Sequence, residues 1–329
     1  MLAPPPLKNF LRYPITAGIE IMAVVVTAMW WMGQPIDWLV MDSRVFAKWE
    51  VWRALTATLP HVDLMHLIFN LYWIWTFGAV VEREYGHLKC AGFYLLLAFG
   101  SSLAEFSLFY GGVGLSGVGY GLWGMLWVLG KRDVRFAQAV DNQTSRLFIF
   151  WFFLCIVLTL TNVMQVANVA HGVGAVMGVL LGLAVSGTDD LKWKGRAGIV
   201  AVLALGLFGA TVFWPKVNLS AYAEAEVEHV GVNALEHHND LDAIKWLEIS
   251  TRMNHAPARA WYNLGIAYQH VGQYEDALTA YNHADSMPDT TPEISAAAQN
   301  MEHYLHPKKA YRFQVNEIAT NTVPSITNR

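Results

Sequence analysis

The strongest constraint on this chain is a series of long apolar runs, set one after another before about residue 215. They lie at about 15–32, 64–81, 89–110, 116–129, 147–163, 168–185 and 197–214. A bilayer core of roughly 30 Å takes about 20 apolar residues as a helix, so each run reads as a membrane span. Hydrophobic residues make up 54% of the chain and charged residues 15%, a balance too apolar for a soluble domain of this size. No small-residue cleavage site follows the first run, which therefore reads as a retained span. The tail before it, 1–14, is Pro-rich and weakly basic through Lys8 and Arg12. Glu20, near the start of the run, is expected to reach the headgroups.

Lys and Arg in short loops set orientation. With the N-terminus in the cytoplasm, that side holds Lys8, Arg12, Arg83, Lys89, Lys131, Arg132, Arg135, Arg146, Lys192, Lys194 and Arg196. The other side holds only Arg44, Lys48 and Arg53, all in one loop at 34–60 that also carries Trp38, Trp49 and Trp52. Such aromatics suit a membrane interface. Seven spans, the last preceded by a cytoplasmic loop within 187–215, then place the polar C-terminal region outside the cytoplasm. A formal charge of −4 gives no electrostatic case for nucleic acid as a partner. Cys90 and Cys155 both fall in spans and cannot cross-link the polar region.

The polar region carries a repeat. Trp261, Leu264, Gly265, Tyr268, Ala277, Tyr281, Ala284 and Pro288 fall at the spacing of a tetratricopeptide repeat, a helix pair of 34 residues. One period earlier, Val227, Val230, Gly231, Ala234, Ala243 and Leu247 occupy the same positions. A last helix at about 292–305 would cap the array. The repeat region is expected over 220–307, with a disordered tail at 308–329. So short an array is marginal alone. It is expected to pack on the membrane domain, on a second copy or on a partner.

Polar groups inside a bilayer are costly and usually face the bundle interior. His66 and Asn70 are four apart, on one face of the second span. In the fourth, Ser116 lies within Gly114-Leu115-Ser116-Gly117, one turn from Tyr120 and beside a stripe of Gly117, Gly121 and Gly124. In the sixth, His171, Gly174 and Gly178 share a face. Helices with glycine faces approach closely in lipid, which would bring His171 to Ser116. A serine needs a base, and a neutral imidazole is one near neutral pH. The oxyanion then formed needs fixed donors, for which the Ser116 N–H, the Asn70 amide and the His66 ring are candidates. The Tyr120 ring is placed to hold the imidazole by stacking. No carboxylate is evidently set to orient His171, so the reading is a dyad. Each element alone has a plainer reading: a tight turn, a helix contact, an interhelical hydrogen bond.

Together these residues resemble the rhomboid family of intramembrane serine proteases. The resemblance rests on His61-x(4)-His66-x(3)-Asn70, Trp52-Arg53, Gly78-x(3)-Glu82-x(3)-Gly86, Gly114-Leu115-Ser116-Gly117, and Ala170-His171 followed by Gly174 and Gly178. It covers about 46–183 and implies a six-helix core, here 15–186, that cleaves membrane-protein substrates, single-span or polytopic, in or near their spans. It implies Ser116 as nucleophile, His171 as base, and His66 and Asn70 as oxyanion support. It further implies Tyr120 packed on His171, Trp52 and Arg53 anchoring the first loop, and Glu82 in a structural polar cluster. Gly114 and Gly117 would leave room for a substrate backbone. For the seventh span and the repeats it implies little.

The expected fold is all-α: a polytopic bundle of a six-helix core plus a seventh span, followed by an α-helical repeat region. No cofactor or metal is expected. The His-Glu-x-x-His motif of a metalloprotease is absent, and the spacing of His61, His66 and His171 does not demand zinc. The rival reading is a catalytically silent membrane scaffold or chaperone whose repeats bind partners. A bacterial inner membrane is the expected location.

Overall fold

The structure, a computed structural model, describes residues 4–42, 50–109, 111–214, 219, 223–253 and 256–307. Arg44, Lys48, Trp49 and the tail expected at 308–329 lie outside the described residues. Two compact units divide the chain, 1–220 and 221–329. The described residues form helices and connecting turns, with no strand among them.

The first unit contains α1 (Pro14–Trp31), α2 (Leu64–Tyr85), α3 (His87–Leu108), α4 (Ser116–Gly130), α5 (Asn142–Leu160), α6 (Asn168–Ser186) and α7 (Asp189–Phe208), the last extended by a π-helical turn. Among the described residues, six segments are long and apolar enough to cross a membrane: α1, α2, α3, α5, α6 and Asp189–Val212. The exception is α4, whose 15 residues span about 22 Å against a bilayer core of roughly 30 Å. Its C-terminal end runs into the exposed pair Lys131 and Arg132, which suit a membrane surface. Ser116 is its first residue, at the end opposite this pair.

Two expectations fail for physical reasons. Glu20 does not reach the headgroups. It belongs to a buried stripe on α1 with Thr16, Ala17, Ala23 and Thr27, the face that packs on α2 and α3. The expected loop before the last span is helical from Asp189. Asp189 and Asp190 sit at the positive end of that helix and pair with Lys192 at 3.6 Å and Lys194 at 2.8 Å, one turn on. A charged stretch that reads as a loop suits the solvated first turns of a helix equally well.

The second unit stacks α8 (Ala223–Glu236), α9 (Asp240–Thr251), α10 (Ala258–His270), α11 (Tyr274–Asp285) and α12 (Pro292–Leu305). Each α8–α9 and α10–α11 pair closes at a glycine. A Cβ on Gly231 would meet Leu247 Cγ at 2.6 Å, and one on Gly265 would meet the Tyr281 ring at 2.5 Å. These glycines and their partners are one 34-residue period apart, so the earlier copy keeps the geometry despite its weak sequence. Arg259 of α10 joins the copies through Glu228 of α8, with bonds of 2.6 and 3.0 Å. Met301 and Ala298 of α12 bury against Ala277 and Tyr281, closing the array.

Candidate active site

The closest helix packing in the membrane unit is between α4 and α6, and it is backbone on backbone. A Cβ on Gly174 would overlap the Gly117 carbonyl oxygen, and one on Gly178 would overlap that of Gly121. Gly124 stands in the same relation to the Ala175 carbonyl. Only glycine allows this approach.

At the top of that joint His171 Nε2 lies 2.7 Å from Ser116 Oγ. The Tyr120 ring stacks on the imidazole, centroids 4.8 Å apart and planes 25° from parallel. The Tyr120 hydroxyl donates to the Phe148 carbonyl of α5 at 3.1 Å. His171 Nδ1 meets no hydrogen-bond partner among the described residues. The geometry is that of a pair, with no carboxylate on the far nitrogen.

Asp63 caps α2 by accepting the His66 N–H at 2.8 Å. The amide of the buried Asn70 donates to the His66 carbonyl at 3.0 Å. That bond uses one of its two N–H groups and fixes the direction of the other. The His66 ring packs against Gly114, where a Cβ would meet its Nε2 at 2.8 Å. Gly114 also has φ +109°, so both space and backbone conformation demand glycine there. Gly117 is packed from two sides: a Cβ would meet Ser101 Oγ at 2.7 Å and the Ala170 carbonyl at 3.3 Å. Its smallness serves helix contact. The first N–H groups of α4, Ser116 among them, have no acceptor within the helix and give this end a partial positive charge.

Sequence reasoning gave His61 no task of its own. It is fully buried, with Nδ1 at 2.9 Å from the Leu59 carbonyl and Nε2 accepting the Leu115 N–H at 3.3 Å. The carbonyl requires a proton on Nδ1, so Nε2 is the acceptor and the tautomer is fixed. His61 thus grips Leu115, the residue before Ser116. Both its nitrogens are engaged in hydrogen bonds.

Arg53 is a second surprise. It was expected to help anchor the loop at the interface, yet its side chain is 2% exposed. Its guanidinium donates to the Asp37 and Val40 carbonyls, to Glu50 at 2.5 Å and to Asp42 at 3.2 Å. It organises the loop from within, while neighbouring Trp52 is about half exposed. Glu82 sits in a polar cluster at the start of α1. It accepts the Ile15 and Thr16 N–H groups at 2.9 Å each, the Thr16 hydroxyl at 2.8 Å, and lies 2.6 Å from His87 Nδ1.

An apolar bundle of membrane-spanning length, with a buried histidine hydrogen-bonded to a partly buried serine at the head of a short helix, defines a polytopic membrane protein with an internal polar site. The family model described as Rhomboid domain matches residues 48–188, and that described as Tetratricopeptide repeat matches residues 258–284. The chain is therefore an integral membrane protein of the rhomboid family with a C-terminal tetratricopeptide region.

Proposed function

We propose that this protein is an intramembrane serine endopeptidase that cleaves membrane-protein substrates within or near their spans. The observation that carries the reading is the 2.7 Å contact between His171 Nε2 and Ser116 Oγ. His171, neutral at rest, takes the Ser116 proton on Nε2 as Oγ attacks the scissile carbonyl. The oxyanion is met by the Ser116 N–H at the positive end of α4, by the free N–H of Asn70 and by the His66 ring. Each such donor is worth on the order of 3 kcal/mol in barrier. The imidazolium then gives its proton to the leaving amine, and the same ring activates water to hydrolyse the acyl-enzyme.

The repeats, by the exposed helical-pair architecture of such arrays, recruit substrate or partner, or join two copies. The distribution of Lys and Arg supports a cytoplasmic N-terminus and an extracytoplasmic repeat region, in a bacterial inner membrane. The deciding experiment compares wild type with Ser116→Ala, using a fluorophosphonate probe and a model single-span substrate. Labelling and cleavage by wild type alone are expected. A wild type that neither labels nor cleaves leaves the scaffold reading in its place.

A further inference from the structure

Glu105 of α3 takes no part in the chemistry above, yet it lies beside it. It is 4% exposed and lines the small cavity that also touches Ser116, Gly117 and Ala170. Its Oε2 accepts the Ala170 N–H at 2.9 Å. Ala170 is the residue immediately before His171. A helix normally satisfies its first N–H groups with the side chain at its N-cap position. On α6 that position is Ala167, which has no oxygen to offer. The cap arrives instead from a helix 65 residues away in sequence.

The same face of α3 touches the chain neighbour of each dyad residue. Ser101, one turn before Glu105, supports Gly117 next to the nucleophile, and Glu105 holds the turn that carries the base. With its Nδ1 unpartnered among the described residues, the imidazole takes its position from the Tyr120 stack and from its own backbone. We propose that Glu105 is a positioning residue. By bridging α3 to the first turn of α6, it sets the height at which His171 reaches Ser116. It does through the backbone what a carboxylate on Nδ1 would do directly. This rests on the dyad reading of Ser116 and His171.

The test uses the full chain in detergent micelles with Glu105→Met, Glu105→Gln and Glu105→Asp. Met matches the length of Glu without an acceptor, Gln keeps an acceptor oxygen, and Asp keeps the carboxylate but falls short. The readouts are the rate of fluorophosphonate labelling at Ser116, kcat and KM on a model single-span substrate, and thermal unfolding. Misplaced catalytic groups lose up to roughly 100-fold in rate. The Met variant is expected to label about 10-fold or more slowly, with the loss in kcat and KM within about twofold. The Gln variant should return to within about threefold of wild type, and the Asp variant should fall between. Wild-type labelling by the Met variant overturns the proposal. So does a Gln variant as slow as Met, or a loss that merely tracks the unfolded fraction. If the Met variant does not fold, Asp decides, and a wild-type rate there overturns it. Failure of wild type itself to label removes the dyad and this role together, whereas equal labelling of wild type and Met removes the role of Glu105 alone.

Discussion

Tyr120 touches two helices at once: its ring stacks on His171 at 4.8 Å while its hydroxyl donates to the Phe148 carbonyl of α5 at 3.1 Å. The two contacts separate by substitution. Tyr120→Phe keeps the stack and loses only the bond to α5, so kcat is expected within about fivefold of wild type, given about 1 kcal/mol for one hydrogen bond. Tyr120→Ala removes the stack and is expected to lower kcat about 10- to 100-fold. Steady-state cleavage of one model substrate by both variants checks this.

Ser116→Ala and His171→Ala should each abolish fluorophosphonate labelling and leave only residual cleavage, with thermal unfolding within a few degrees of wild type. Because the pair acts as one unit, the double variant should cleave no more slowly than either single one. A double variant slower than both, in residual cleavage, would show that another group shares the chemistry.

His61→Ala leaves the Leu115 N–H without its acceptor, directly before the nucleophile. An unsatisfied buried donor costs about 1–3 kcal/mol. Both a lower unfolding temperature and a slower labelling rate are expected.

Arg53→Ala removes the guanidinium that the Asp37 and Val40 carbonyls, Glu50 and Asp42 share. Each buried hydrogen bond to a charged group lost in this way costs about 1.5–3 kcal/mol. The expected result is rapid proteolysis of the loop at 34–60 in micelles, with Trp52→Ala much milder. Limited proteolysis followed by mass analysis distinguishes the two.

Removal of the chain after Ser220 should spare cleavage of a generic model substrate and impair turnover of natural ones. The comparison is the membrane proteome of cells carrying full-length, truncated or Ser116→Ala protein. Equal turnover of every natural substrate by the truncated form would remove the recruiting role.

The sequence disclosed whatever is written in short range. Ser116 and Tyr120 are one turn apart, as are His66 and Asn70, and helix phase alone places each pair on one face. The glycine stripes on α4 and α6 were legible because small residues at that spacing in apolar runs signal contact. What stayed hidden depends on partners far along the chain. Glu105 has no local motif, and nothing near it names Ala170. Arg53 sits among tryptophans and resembles an interfacial residue until the carbonyls of Asp37 and Val40 are seen around it. Glu20 shows the same limit, since an acidic residue near the end of a run reads as solvated, whereas its place on the α1 stripe decides otherwise.

The joint between α4 and α6 contains no side chains where Gly117 meets Gly174 and Gly121 meets Gly178. A joint of that kind has no rotamers through which to absorb an error. Elsewhere in a core, an enlarged residue can be accommodated by a neighbour that shrinks or turns. Here the neighbour is a peptide carbonyl, which no substitution can shorten. Gly178→Ala is therefore beyond second-site rescue on the facing helix, and the spacing between Ser116 and His171 is inherited from covalent backbone geometry.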